Sequence, residues 1–418
     1  MTSTLNTVES VMAAARSAVV QTNITDVHTH LFPPSHGNLL LWGADELITY
    51  HYLVAELFTV APRELTYEKF WKLGKAQQAD LIWEHVFLKH GALSEAARGV
   101  VTVFHKLGLD VGGRDLGSIR KWFAAQKVES YLEKVFALAG LDYAVMTNNP
   151  FVSAEAGFLE QDLPCPGVLK TALRIDTLLV DWEAGVGVMN AAGYAVKIKP
   201  DDRSFAEVRR FLMDWSQKIK PVYFAASLGP DFAYPDTSLR TAVLDKAIIP
   251  AALELGIPFS MMIGVRKRVQ PGLGDGGDAV GVSDVTAVMN LCTTYPSMKY
   301  LVTMLSRVNQ HELTVLARKC RNLHLFGCWW FLNNPSIIEE MTRQRIELLG
   351  TACTLQHSDA RVLDQLVYKW DHSRKIISNV LADKYHDLFE AGWRPTDMEI
   401  RRDVRNLLGG SFAEFLAK

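Results

Sequence analysis

Residues 24–30 read Ile24-Thr25-Asp26-Val27-His28-Thr29-His30, and the reading of this stretch decides the fold. It is short, rich in β-branched residues, and ends on two imidazoles with one residue between them. In an extended chain alternate side chains share a face, so His28 and His30 leave the end of a strand in the same direction. Seven further runs of this kind follow: DYAVMT (142–147), TALRID (171–176), PVYFAASL (221–228), IPFSMMIGV (257–265), KYLVTMLS (299–306), LHLFGCWW (323–330) and TACTLQHS (351–358). Several are continuously apolar rather than alternating, the pattern of parallel strands buried on both faces.

From the second run onward the starts lie 24 to 50 residues apart, and each gap holds an amphipathic stretch such as SFAEVRRFLMDWSQKI (204–219) or NQHELTVLARKC (309–320). Strand–helix alternation repeated eight times predicts a (β/α)8 barrel of the TIM type, with a doubly wound open sheet as the alternative. The rhythm breaks once. Residues 35–140 carry helical patterns, among them YEKFWKLGKAQQADLIWEHVFLKHG (67–91), and no convincing strand. The expectation is an α/β chain, a distorted barrel with a large helical insertion after the first strand. Residues 1–34 supply an N-terminal helix and that strand, 35–140 a helical cap, and 141–418 the remaining barrel and C-terminal helices. Active sites of this fold sit at the C-terminal ends of the strands, so the cap is expected over the substrate.

A barrel of this type needs roughly 250 residues, which leaves room in 418 for the insertion. The 44 basic and 46 acidic residues nearly cancel, which gives no reason to expect nucleic acid or an anionic membrane as partner. No apolar run reaches the ~20 residues that span a bilayer, and Glu9 precedes any apolar run, against a signal-peptide layout. Five scattered cysteines without CxxC spacing fit a reducing compartment, hence a cytoplasmic enzyme.

Chemistry concentrates where the predicted strands end. Two imidazoles fall short of the three or four ligands of a usual metal site. A closed barrel sets strand eight beside strand one, and His357-Ser358-Asp359-Ala360-Arg361 follows the eighth run. Asp359 would complete a His2Asp set with an open position, as in catalytic zinc sites; taken alone, it also fits a helix N-cap. Arg174, Arg307 and Arg361 each stand near a strand end. A lone arginine is most often a surface ion-pair residue, but three at one rim suit a carboxylate-bearing substrate. Tyr50-His51-Tyr52 in the insertion offers proton carriers, though such residues more often pack and cap. Trp329-Trp330 is core or pocket wall, with faces able to meet a sugar. Gly272–Gly277 spells G-x-G-x-x-G beyond its strand, without the acidic residue of a dinucleotide site, and reads as a mobile loop near the mouth. His85, His90, His105, His324, His372 and His386 show no ligand spacing and read as structural or surface residues.

TDVHTHLF, LWGADELITYHYLVAE, MTNNPF, ALRID, VTMLSR, FGCWW and QHSDAR, in this order from about residue 20 onward, resemble the uronate (glucuronate) isomerase family of the amidohydrolase superfamily. The resemblance implies a distorted (β/α)8 barrel that reversibly interconverts D-glucuronate with D-fructuronate and D-galacturonate with D-tagaturonate. It implies a metal on His28, His30 and Asp359, and substrate or proton-transfer roles for His51, Tyr52, Arg174, Arg307 and Arg361. Hydrolytic members carry further metal-binding histidines at strands five and six, and often a lysine at strand four. MMIGVR, MLSR and AASL lack them here, so one divalent ion is expected, zinc by its ligands. Asp359 is the leading base for transfer through a cis-enediol, with Tyr52 or His51 as donor or shuttle and Arg361 against the developing oxyanion. A metal-mediated hydride shift would use the same residues. A metal-dependent hydrolase or decarboxylase of the superfamily, and a non-catalytic uronate-binding paralogue, are the competing readings. The expected partner is a small sugar acid, and monomer and homo-oligomer both stay open.

Overall fold

The structure, a computed structural model, describes residues 4–161 and 163–418. The first helix, Val8–Gln21, starts on a capping box in which Thr7 and Ser10 exchange side-chain and backbone hydrogen bonds. It lies along the 26-residue helix Gln365–Glu390 and delivers the chain into β1, Ile24–Thr29. The strands that follow are β2 Leu141–Asn148, β3 Leu169–Arg174, β4 Phe224–Leu228, β5 Phe259–Ile263, β6 Tyr300–Met304 and β7 Leu323–Leu325. All neighbours pair in parallel and in sequence order. Helices lie between successive strands, so each strand is covered outside and faces the barrel core inside, which is why the runs read as continuously apolar. Val27, Val145, Ala172, Ala225, Met262, Leu301 and Phe326 form that inner core.

Among the described residues seven regular strands form the sheet where eight are expected. The run 351–358 touches the sheet through one bridge, Thr354 to Phe326. It still closes the ring. Thr354 N–H donates to the Leu325 carbonyl at 3.0 Å and its own carbonyl accepts from Gly327 N–H at 3.0 Å, on the β7 side. Asp359 N–H donates to the His28 carbonyl at 3.1 Å, and His30 N–H to the Ala360 carbonyl at 2.8 Å, on the β1 side. Between these contacts side chains stand in for ladder partners: Gln356 Oε1 accepts from Cys328 N–H at 2.7 Å, and Asp26 Oδ1 from Ser358 N–H at 3.0 Å. Backbone groups are thus satisfied without strand geometry.

Between β1 and β2 the chain is helical, with Ala44–Ile48, His51–Val60, Tyr67–Trp71, Lys75–Ile82, Glu95–Lys106, Leu116–Ala124 and Val128–Ala139. Glu95–Lys106 buries Ala97, Val100, Val103 and Phe104 along one face, and with Val128–Ala139 it packs against Gln365–Glu390. After β5, the two-residue strands Val265–Arg266 and Ala279–Val280 pair antiparallel and fasten the ends of a loop. Among the described residues no helix is long and apolar enough to cross a membrane.

Candidate active site

At the C-terminal end of β1 the imidazoles of His28 and His30 turn toward Asp359. Their Nε2 atoms stand 3.6 and 3.2 Å from Asp359 Oδ1, and the three ligand atoms lie within 4.8 Å of one another. Asp359 arrives at φ 52°, a left-handed conformation uncommon for a residue with a side chain. Its neighbours hold it there. Besides the Asp26 bond to Ser358, the Lys369 ammonium donates to the Ser358 carbonyl at 2.6 Å, and Asn333 Nδ2 to the carbonyls of His357 and Ser358 at 3.3 and 3.2 Å.

Two hydroxyls fix which nitrogen of each imidazole carries its proton. Tyr223 donates its hydroxyl proton to the Val27 carbonyl at 2.7 Å, so toward His28 Nδ1, 3.3 Å away, its oxygen accepts. Thr147 donates to the Thr29 carbonyl at 3.1 Å and accepts from His30 Nδ1 at 3.0 Å. A hydroxyl has one proton to give, so both rings are protonated on Nδ1 and present bare Nε2 lone pairs to Asp359. Burial pushes the pKa of His28 well down and that of His30 down, which keeps both rings neutral. Burial works to raise the Asp359 carboxyl, and the nearby Lys369 ammonium works to lower it. Three lone-pair atoms therefore converge, and among the described residues His28 Nε2 and Asp359 Oδ1 have no hydrogen-bond partner. That convergence is repulsive unless a cation lies among them, and two imidazole nitrogens with one carboxylate oxygen suit a borderline divalent ion such as zinc.

A cavity of about 230 Å³ opens on this cluster. His30 and Asp359 line it, with Arg174 and Arg361, Tyr50 and His51, Trp329 and Trp330, and Thr147, Glu155, Ser227, Lys267, Asp275 and Asp278. Arg174, the last residue of β3, is forked onto Asp176 through Nε at 2.9 Å and Nη2 at 2.7 Å, while Asp176 Oδ1 also accepts from Ser227 N–H at 2.7 Å. Arg361 gives one Nη1 bond, 2.6 Å, to Asp275. His51 begins the helix His51–Val60; burial and then Arg361 push its pKa down to about 3, and its Nε2 has no partner among the described residues.

Not every residue singled out in the sequence comes to the cavity. Tyr52 stands behind the wall, and Tyr50 is the tyrosine that lines it. The Tyr52 hydroxyl is buried without a partner among the described residues, and burial, Tyr50 and then Asp359 raise it well above the usual phenol range. Arg307 is outside. Its side chain is 63% exposed and pairs with Glu340 at 2.8 Å, because β6 ends at Met304 and Ser306 caps a helical turn, Arg307–Asn309, that rotates it to solvent. The loop with the G-x-G-x-x-G pattern is not loose: Trp71 Nε1 holds the Gly272 carbonyl at 2.8 Å and Asp275 holds Arg361. Sequence reading missed Thr147, Tyr223, Lys369, Glu155, Lys267 and Asp275. Only MTNN (146–149), at a strand end, carried a local signal, since Thr147 follows Val145 on the inward face.

The chain is similar to a uronate isomerase from Bacillus halodurans C-125, at 48% sequence identity and a TM-score of 0.97, with 99% of this chain and 98% of that one covered. A uronate isomerase from Thermotoga maritima shares the fold at 14% identity and a TM-score of 0.76, covering 97% of each chain. A glucuronate isomerase from Caulobacter crescentus does so at 15% identity and a TM-score of 0.76, covering 100% of this chain and 95% of that one. No family model and no curated protein matches the chain.

Proposed function

The chain belongs to the uronate isomerase family, and from that premise we propose that it interconverts a hexuronate aldose, D-glucuronate or D-galacturonate, with the corresponding ketose at the cavity over His28, His30 and Asp359. One observation carries this reading: a carboxylate with bare imidazole nitrogens beside it shares a small cavity with two guanidinium groups. An anionic sugar needs the guanidinium groups, and aldose–ketose exchange needs a base beside an electrophile.

The steps follow from the residues. Arg174, preset by its fork onto Asp176, binds an oxygen or the distal carboxylate of the open-chain substrate. Asp359 takes the proton from carbon 2, and the electron pair left behind forms the carbon 1–carbon 2 double bond of a cis-enediol. The former aldehyde oxygen takes up a proton as this happens. Asp359 then returns its proton to carbon 1 while the oxygen on carbon 2 gives one up. Neutral His51, which lines the cavity, carries the proton between the two oxygens, a role that suits an imidazole whose pKa burial lowers. A carboxylate is a weak base for a carbon-bound proton, so the substrate must be acidified from the oxygen side. Arg361 contributes there by stabilising the enediolate charge. A divalent ion held by His28, His30 and Asp359, zinc by its donor set, would supply Lewis-acid polarisation of the substrate carbonyl.

Trp329 and Trp330 form an apolar wall for the sugar chain. Residues 35–140 act as the cap that excludes water, and His51 is their contribution to the chemistry. The five cysteines are unpaired, which fits a cytoplasmic setting. Incubating the purified protein with a panel of uronates tests the function. The expected product is a ketose of unchanged mass in ordinary water, and in heavy water deuterium enters its carbon 1 and carbon 2 of recovered aldose. A product that has lost carbon dioxide or gained water would refute isomerisation. Isomerisation with substrate deuterium fully retained in each turnover would favour the hydride shift.

A further inference from the structure

The segment between Arg266 and Ala279, set aside in the sequence as a weak glycine pattern, crosses the cavity mouth and touches two of the residues assigned to the chemistry. Its ends are clamped by the antiparallel pair Val265–Arg266 and Ala279–Val280. Inside them, Lys267 Nζ meets Asp278 Oδ2 at 2.7 Å, Arg268 N–H donates to Asp278 Oδ1 at 2.9 Å, and Gln270 N–H to the Gly277 carbonyl at 3.0 Å. The tip rests on the insertion. A side chain at Gly272 would stand 2.4 Å from the Tyr67 ring, and one at Gly276 would stand 2.9 Å from the His51 carbonyl oxygen. Both positions therefore need glycine for close approach. Between them Asp275 reaches the Arg361 guanidinium at 2.6 Å.

We propose that this strap is a positioning element of the active site, in which Asp275 orients the Arg361 guanidinium toward the substrate and Gly276 seats the backbone of His51. The proposal rests on the roles given to Arg361 and His51 above. Asp275 occupies one Nη1 donor of a planar fork that has five N–H groups, and the remaining donors are then directed by that single bond. The pair is exposed, with side-chain accessibilities of 47% and 68%, so it adds little to folding stability. What it supplies is aim. Misplacement of a charge-stabilising group costs rate even where binding survives.

The test is a double-mutant cycle on the full chain with D-glucuronate. Asp275→Ala is expected to lower kcat by about tenfold, with little change in KM and an unchanged melting temperature, and Asp275→Glu to restore part of the loss. On an Arg361→Met background, Asp275→Ala should cost nothing further, because the carboxylate acts through the guanidinium. Gly276→Ala should lower kcat by displacing His51. An unaltered kcat in Asp275→Ala, with Arg361→Met strongly slowed, overturns the proposal and leaves the role of Arg361 standing. A full additional loss on the Arg361→Met background overturns it as well. Normal turnover in Arg361→Met itself removes the assignment of that arginine, and the proposal with it.

Discussion

The end of β1 and the segment 354–361 meet at the same three ligand atoms, yet they are built on different principles. His28 and His30 sit at the end of a regular strand, where a period of two aligns their side chains, and each ring is set by one hydroxyl. Asp359 comes from a stretch with a single sheet bridge and a left-handed backbone, and its position is fixed by Asp26, Lys369 and Asn333. Regular geometry offers direction at no extra cost in side chains. Irregular chain must be tied down from three elements, and in exchange it can turn a carboxylate into a site that a strand residue would face away from. Local pattern therefore announces the first half of the site, and only tertiary context explains the second.

The largest expected effect strikes the irregular half. Asp359→Asn keeps the volume and removes both the charge and the basicity, and turnover at saturating uronate should fall by roughly 10²–10⁴-fold, with metal content also reduced in elemental analysis. Circular dichroism should be unchanged, since the amide can still accept and the backbone ties to His28 stay. Near-normal turnover in a folded Asp359→Asn protein would end the assignment of this residue as base and would make the irregular segment a scaffold alone.

The same contrast explains what the sequence disclosed. Strands such as FSMMI and YLVTM are apolar throughout, so parallel pairing and a barrel follow from pattern. His-x-His at a strand end and Asp359 after the last run are legible because barrel closure brings their strands together. Tyr223 and Thr147 are not, because each looks like an ordinary strand residue until the barrel sets it beside an imidazole far away in sequence. Lys369 hides on a 26-residue helix, where it is buried along with Gln365, His372 and Ser373 and no local pattern marks its contact with Ser358. Asp275 sits in a glycine pattern that lacks the acidic residue of a dinucleotide site, and its partner, Arg361, lies 86 residues on.

A middling effect tests the regular half. Thr147→Val removes the hydroxyl that accepts from His30 Nδ1 and preserves the shape, so metal affinity should drop by about 10–100-fold in a chelator competition. Tyr223→Phe should do less, because its contact with His28 Nδ1 is the longer one at 3.3 Å. In the metal-free protein, the nitrogen-15 shifts of the two imidazoles should report Nδ1–H in the native chain and a mixed tautomer for His30 in Thr147→Val, with Thr147→Ser behaving as native. An unchanged tautomer and unchanged affinity would mean that the strand alone directs the rings, which sharpens the contrast with Asp359 still further.

The smallest effect is expected at Arg307, and its comparison with Arg174 tests how far strand regularity extends. Both arginines follow an inward-facing run: Ala172 precedes Arg174 by two residues, and Leu305 precedes Arg307 by two. Continued strand geometry would send both guanidinium groups into the mouth. For β3 the strand lasts through Arg174, and the side chain lines the cavity with its fork on Asp176. For β6 the strand stops at Met304, Ser306 accepts from Val308 N–H, and the helical turn breaks the alternation one residue before Arg307. The arginine then spends its charge on Glu340 in the open, where such pairs contribute little or nothing measurable. Arg307→Ala should accordingly leave kcat, KM and the melting temperature at native values, whereas Arg174→Met should raise KM and lower kcat because substrate positioning is lost. A tenfold or larger fall in kcat/KM for Arg307→Ala would show that the turn after β6 rearranges over bound substrate, and that the period of a strand can be restored by a ligand.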